Sequence, residues 1–396
     1  MRVSMPLFLV AAISLGLTPL ACSEEFSDEP LEPVPASAKP AMTGLVAAAT
    51  TLIPLSLEDG AFADPTNKTR IDGALAGMSS HVELLQRYAW GEDEGARWLA
   101  RSLGQDVAAA QDAYAARQFE EARFRVQKLT ANCVACHSRL PSADDSDLGT
   151  ALFASVDTST LHPDELAQLQ LATRQFKAAA ATYEKLLSAP PRGGDVGRLW
   201  YFVDYLVLSI RVLDDRARPL PLLKKQVAAK GLPTFMQRDL EGWLVSLEAL
   251  QGPLVPPDAA PAALLDKARS LVSESRALDE APSGQQGLVR WIVASSLLHR
   301  YVNLQHEAGP ALAEAWYLLG LAEARIGHSS WLSQPEYYLE TAVRTAPASR
   351  IAKDALAHLE WHVAVQYTGS GGEQIPEDVQ AHLDELAQLI AKAATP

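Results

Sequence analysis

The sequence predicts an all-α protein, a four-helix bundle followed by a solenoid of paired helices. Two observations carry that expectation. Apolar residues recur in steps of three and four along most of the chain, and no segment after Leu152 alternates as a strand would. Prolines gather in short breaks, at Pro30 to Pro40, Pro190-Pro191, Pro219 to Pro221 and Pro253 to Pro261, which read as a tether, the end of a repeat, a helix break and a linker. With 396 residues there is room for two or three domains.

The chain opens with Arg2 and an apolar run from Met5 to Ala21, the pattern of a secretory signal whose core is too short for a comfortable membrane span. It ends Leu17-Thr18-Pro19-Leu20-Ala21-Cys22. A small residue before a cysteine resembles the lipobox of bacterial lipoproteins, with departures at Pro19 and Leu20. That resemblance implies a signal over residues 1–22, a lipid on Cys22, and export to the periplasm or cell envelope with a membrane anchor. Residues 23–40 are acidic and proline-rich, cannot bury a core, and read as a tether. The net charge of −14 argues against a nucleic-acid partner and against electrostatic adhesion to an anionic membrane.

Four helices are expected over residues 41–143. The first runs from Met42 to Leu57 with Leu45, Ala48, Leu52 and Ile53 on one face. The second follows Asp64-Pro65, a cap residue with proline at the first turn. Its seam is Ile71, Leu75, Met78, Val82, Leu85 and Ala89. The third runs from Glu94 to Ala116 through Leu99, Leu103, Val107, Ala110 and Tyr114. In the fourth, Phe119, Ala122, Val126 and Leu129 form a stripe that Cys133, Cys136 and His137 continue.

Cys133-x-x-Cys136-His137 is the attachment spacing of a c-type haem. Two thiols one turn apart can each form a thioether to a vinyl group, and the adjacent imidazole can ligate the iron. A C-x-x-C pair also occurs in thioredoxin-type redox motifs and zinc sites. Here no second pair exists to complete a zinc site, and no strand precedes the motif. The chain has three cysteines, so a lipid on Cys22 and a haem on the other two account for all of them. Four helices with this motif at the end of the last resemble the cytochrome c′ family, and Gly60-Ala61-Phe62-Ala63-Asp64 is similar to that family's hinge. The resemblance implies one covalent haem c, with His137 as proximal ligand. Met42 falls at the family's sixth-ligand position, and Arg139 is the nearest match to its propionate-binding basic residue. Met78 and His81, which share a face of the second helix, are the other candidate sixth ligands.

Residues 152–396 read as helix after helix. Phe176-Lys177-Ala178-Ala179, Tyr183-Glu184-Lys185-Leu186 and Pro190-Pro191 resemble the second helix of a tetratricopeptide repeat and its closing proline. Trp316, Leu319 and Gly320, with Ala342 and Pro347, resemble another such unit. Small residues let paired helices approach, and aromatics fill the space between units. The apolar run Tyr201 to Leu213 holds Asp204 and Arg211 and reads as a buried helix, not a membrane span. His358 and His362 share a helix face but lack the H-E-x-x-H pattern and read as a structural pair.

The leading expectation is an exported c-type haem protein that passes single electrons to a redox partner, with the repeat region for protein contact and no substrate turned over. Two other readings stand beside it. One is a haem-based module that binds or senses a small gas. The other is a repeat scaffold in which the haem is structural.

Overall fold

The computed structural model describes residues 37–88, 94–138, 147–189, 197–229, 232–256, 258–279, 284–327, 334–370 and 372–394. These belong to one compact unit, Pro35–Pro396. Cys22, residues 23–36 of the tether, Ala89 of the expected seam and Arg139 lie outside the described residues.

The fold is all-α, with sixteen α-helices among the described residues. Helix α1 (Lys39–Leu57) buries Leu45, Ala48, Leu52 and Ile53. It is long and apolar enough to cross a membrane, but its apolar side is core, packed on α2 (Lys68–Arg87), α4 (Phe119–His137) and α5 (Asp147–Ser155). Between α1 and α2 the Asp64 carboxylate accepts the Thr66 N–H at 2.8 Å, and Pro65 opens a short 3-10 turn, as the cap pattern requires. The α2 seam is buried at Ile71, Leu75, Met78, Val82 and Leu85. Helix α3 (Glu94–Ala115) packs between α2 and α4. Leu52, Ile71, Leu75, Val107 and Val126 meet in one core.

The chain continues through α6 (Pro163–Ala172), α7 (Phe176–Ser188) and α8 (Arg198–Val207). A π-type turn (Leu208–Val212) extends α8, so the expected helix over Tyr201 to Leu213 is widened in its last part. Then come α9 (Leu220–Val227), α10 (Thr234–Ala249), α11 (Pro261–Leu278) and α12 (Leu288–Leu304). Helices α13 (Pro310–Ile326), α14 (Gln334–Thr345), α15 (Arg350–Gln366) and α16 (Glu377–Ala393) complete the order. A two-residue hairpin pairs Thr368 with Glu373 between the last two. Successive helices pack as pairs, α6 on α7, α11 on α12, and α13 on α14, which gives repeat-like stacking. Gly320 permits one such approach, because a Cβ there would stand 2.8 Å from Leu339 Cγ.

One turn occurs twice with the same sequence. Arg117-Gln118-Phe119 joins α3 to α4, and Arg174-Gln175-Phe176 joins α6 to α7. Both arginines sit at φ 61°. Both turns close by the same pair of bonds, Gln118 N–H to Ala113 and Arg117 N–H to Tyr114, then Gln175 N–H to Gln170 and Arg174 N–H to Leu171. This is a Schellman close with arginine in the left-handed position that glycine usually takes. In register, Ala122 matches Ala179 and Val126 matches Tyr183, all fully buried. The α3–α4 hairpin is therefore built like the α6–α7 pair. The structure supports a generic all-α, helical-repeat arrangement.

The least expected feature of the interior is ionic. Arg211, on the π-type turn, donates from Nη2 to Glu323 Oε1 of α13 at 2.8 Å and to Ser295 Oγ of α12 at 3.0 Å. Ser295 also bonds to Glu323, and both charged side chains are 2% exposed or less. Removing one member of such a pair strands the other charge in a dry core, which costs about 3–5 kcal/mol, whereas replacing both by apolar residues is far less costly. Glu323→Ala is expected to lose about that much by urea denaturation, and Arg211→Met with Glu323→Leu to recover most of it. A double variant as unstable as the single one would show that the pair contributes through something other than mutual compensation.

Candidate functional site

The last turns of α4 hold the residues that the sequence marks out. The stripe Ala122, Val126 and Leu129 continues into Cys133, Cys136 and His137, and these three border an apolar cavity of about 110 Å³. Met42 from α1, Met78 from α2 and Leu99 from α3 border it too, with Leu169 and Ala172 from α6 closing the far side. Of the three candidate sixth ligands, Met42 and Met78 therefore border the same cavity as Cys133, Cys136 and His137. His81 does not: it borders a separate groove between α1 and α2, with its ring against Gly44.

The side chains around the cavity have local partners. His137 Nδ1 bonds to the Ala172 carbonyl at 3.1 Å, and the Cys133 thiol bonds back to the Leu129 carbonyl at 3.6 Å. Burial pushes the Cys133 thiol up to about 11. Burial, assisted by the Arg174 guanidinium, takes the His137 imidazole down to about 4, although the Ala172 carbonyl pulls the other way. At neutral pH the site therefore holds an uncharged thiol and a neutral imidazole. Asn132, which the sequence did not mark out, also borders the cavity. Its Nδ2 donates to Asp106 at 2.7 Å, and its buried Oδ1 has no hydrogen-bond donor. Burial raises the Asp106 carboxyl, and the Asn132 bond offsets part of that.

The arrangement corrects the haem expectation. Among the described residues no group of three or more His, Cys, Asp or Glu side chains is placed to hold a metal ion. The expectation of a haem c attached through Cys133, Cys136 and His137 is overturned on that finding. The cytochrome c′ resemblance, the electron-transfer role and the two haem-based alternatives go with it. No protein-family model, curated protein or solved structure matches the chain. The two histidines of α15 each have their own partner: His358 Nδ1 lies 3.0 Å from the Asp354 carbonyl, and His362 Nε2 lies 3.9 Å from Glu336.

Two measurements follow from this chemistry. Intact mass after denaturation and alkylation should equal the polypeptide with both Cys133 and Cys136 alkylated; a group retained on these two sulfurs would reverse the correction. In the folded state Cys133 should alkylate slowly at pH 8, because so little of it is thiolate. The second concerns pH. A histidine whose folded pKa lies near 4 against an ordinary 6.5 contributes its full stability above pH 6.5 and loses it as pH falls toward 4. The loss is up to about 3 kcal/mol. His137→Gln should flatten that part of the stability profile, and a profile identical to the wild type would refute the assignment.

Proposed function

We propose that the protein is a helical-repeat binding protein of the bacterial cell envelope, held to a membrane through lipid on Cys22 and offering α15 to a protein partner. The observation that carries this reading is an apolar surface. Trp361 is 63% exposed and Val365, one turn later, is 55% exposed, with Tyr367 just beyond the helix end. The opposite side of α15 is fixed in the core by Leu356, Leu359 and Val363. The exposed side is therefore held in position by the fold, and large aromatic anchors of this kind dominate the energetics of protein interfaces. Asp354 and Glu360 lie beside it on α15, Glu336 on α14, and the chain carries −14. The matching partner presents an apolar patch rimmed by lysine and arginine.

The pairs α6–α7 and α13–α14 are read as tetratricopeptide-like units stacked on a bundle of α1 to α4. The lipobox-like end of the signal and the acidic, proline-rich residues 23–40 support a tethered position for this body. No catalytic step is assigned.

A photo-crosslinking residue at position 361 in intact envelopes should trap one partner. With that partner purified, Trp361→Ala should weaken binding by about 30-fold, the size of a hot-spot truncation. Affinity unchanged by Trp361→Ala and Val365→Ala together would sink the reading. Membrane attachment is tested apart from it: the mature chain should partition into detergent and Cys22→Ser should not, since stable anchoring needs more than one acyl chain.

A further inference from the structure

The small cavity at the end of α4 is bordered by an acceptor that no protein group answers. Its lining is otherwise largely apolar, with Met42, Met78, Leu99, Leu103 and Leu169 around it. Asn132 borders it as well and is only 4% exposed. The Asn132 Nδ2 donates to the Asp106 carboxylate at 2.7 Å, which fixes which way round the amide sits. Its buried Oδ1 is left with no donor. An unpaired buried acceptor is unfavourable, so a molecule that fills the cavity gains by bringing the donor itself.

Thr130 and Cys133, which also border the cavity, do not supply that donor. The Thr130 hydroxyl donates to the Gln127 carbonyl at 2.8 Å, and the Cys133 thiol to the Leu129 carbonyl at 3.6 Å. His137 adds a second acceptor, because a neutral ring that donates from Nδ1 to the Ala172 carbonyl leaves Nε2 without a proton. Water fits such a place poorly. A buried water makes two to four hydrogen bonds, and an apolar cavity of about 150 Å³ stays dry and takes a molecule of the size of benzene instead. The cavity here, about 110 Å³, is of that order. We propose that it binds a small neutral molecule with a compact apolar body and one hydroxyl, a short alcohol, whose O–H donates to Asn132 Oδ1. The site is independent of the α15 surface, which shares no residue with it.

The test titrates cyclopentanol and cyclopentanone, matched in size and differing in the donor, into protein whose methionine methyl groups carry carbon-13. Met42 and Met78 report from the cavity lining, and Met236 of α10 is a buried methionine that does not border it. Cyclopentanol should shift the Met42 and Met78 resonances and leave Met236 in place. Cyclopentanone should bind about tenfold more weakly, since it offers an acceptor where a donor is needed. Asn132→Leu keeps the volume and removes the acceptor, so the two probes should then bind alike. Ala49→Leu, which fills the cavity from α1, should abolish both. Should Asn132→Leu not fold, the ranking in the wild type decides alone. No shift at Met42 and Met78 with either probe, equal binding of the two in the wild type, or a preference for the alcohol that survives in Asn132→Leu would overturn the proposal.

Discussion

A guanidinium and a carboxylate buried together in a core must face each other, and the repeat region contains such a pair. Arg211 and Glu323 are 112 residues apart and meet at 2.8 Å, with Ser295 bonded to both. Desolvating each charge costs several kcal/mol, so a register that misaligned the π-type turn with α12 and α13 would be penalised far more than a loose apolar contact. Around this point the packing is aromatic. The His299 ring lies 5.7 Å from Tyr338, Tyr338 stacks on Trp316 at 5.8 Å, and Trp316 meets Tyr337 at 6.1 Å. Tyr337 then packs on Trp98 of α3 at 5.5 Å. A ring-to-ring path therefore joins the ionic centre to the helix that supports α4.

Much of this was legible where the physics is local. The α2 seam could be read residue by residue, because a helix repeating every 3.6 residues must bury one side, and Ile71, Leu75, Met78, Val82 and Leu85 are that side. The cap at Asp64 was legible for the same reason. The twofold Arg-Gln-Phe turn was visible in the letters, but its meaning lay in a left-handed backbone that arginine seldom adopts, so the α3–α4 hairpin read as part of a bundle. The partner of Arg211 was out of reach, because an apolar run shows that a charge is buried and not what answers it across 112 residues.

The motif in α4 shows the same limit more sharply. Spacing establishes that Cys133, Cys136 and His137 share one stretch of helix. It does not establish the space around them, which depends on α1, α2, α3 and α6 arriving from elsewhere in the chain. Met42 and Met78 border the same cavity as that stretch, whereas His81 borders a separate groove. A position one residue from a seam stands about 100° away from its neighbour around the helix, and in α2 that rotation sends the imidazole to Gly44.

Helix α4 is the element on which these features converge. Set in register with α7 from the shared turn, it runs 19 residues where α7 runs 13, and the added length is the stretch that carries both thiols and the imidazole. Helix α7 ends before the prolines at 190 and 191, whereas α4 has no proline there to stop it. The longer helix then has three jobs at once. Its Ala122, Val126 and Leu129 build the first core, Val134 packs against the repeat core, and Cys133 and Cys136 border the small cavity. Ile53, Thr130 and Leu169 line both the cavity and a cleft of about 360 Å³ bordered by α1, α4, α6 and α8, so one wall separates the two spaces. A ligand that pressed on Ile53 or Leu169 from the cleft would bear on the cavity through the same side chains, because close-packed interiors transmit strain rather than absorb it.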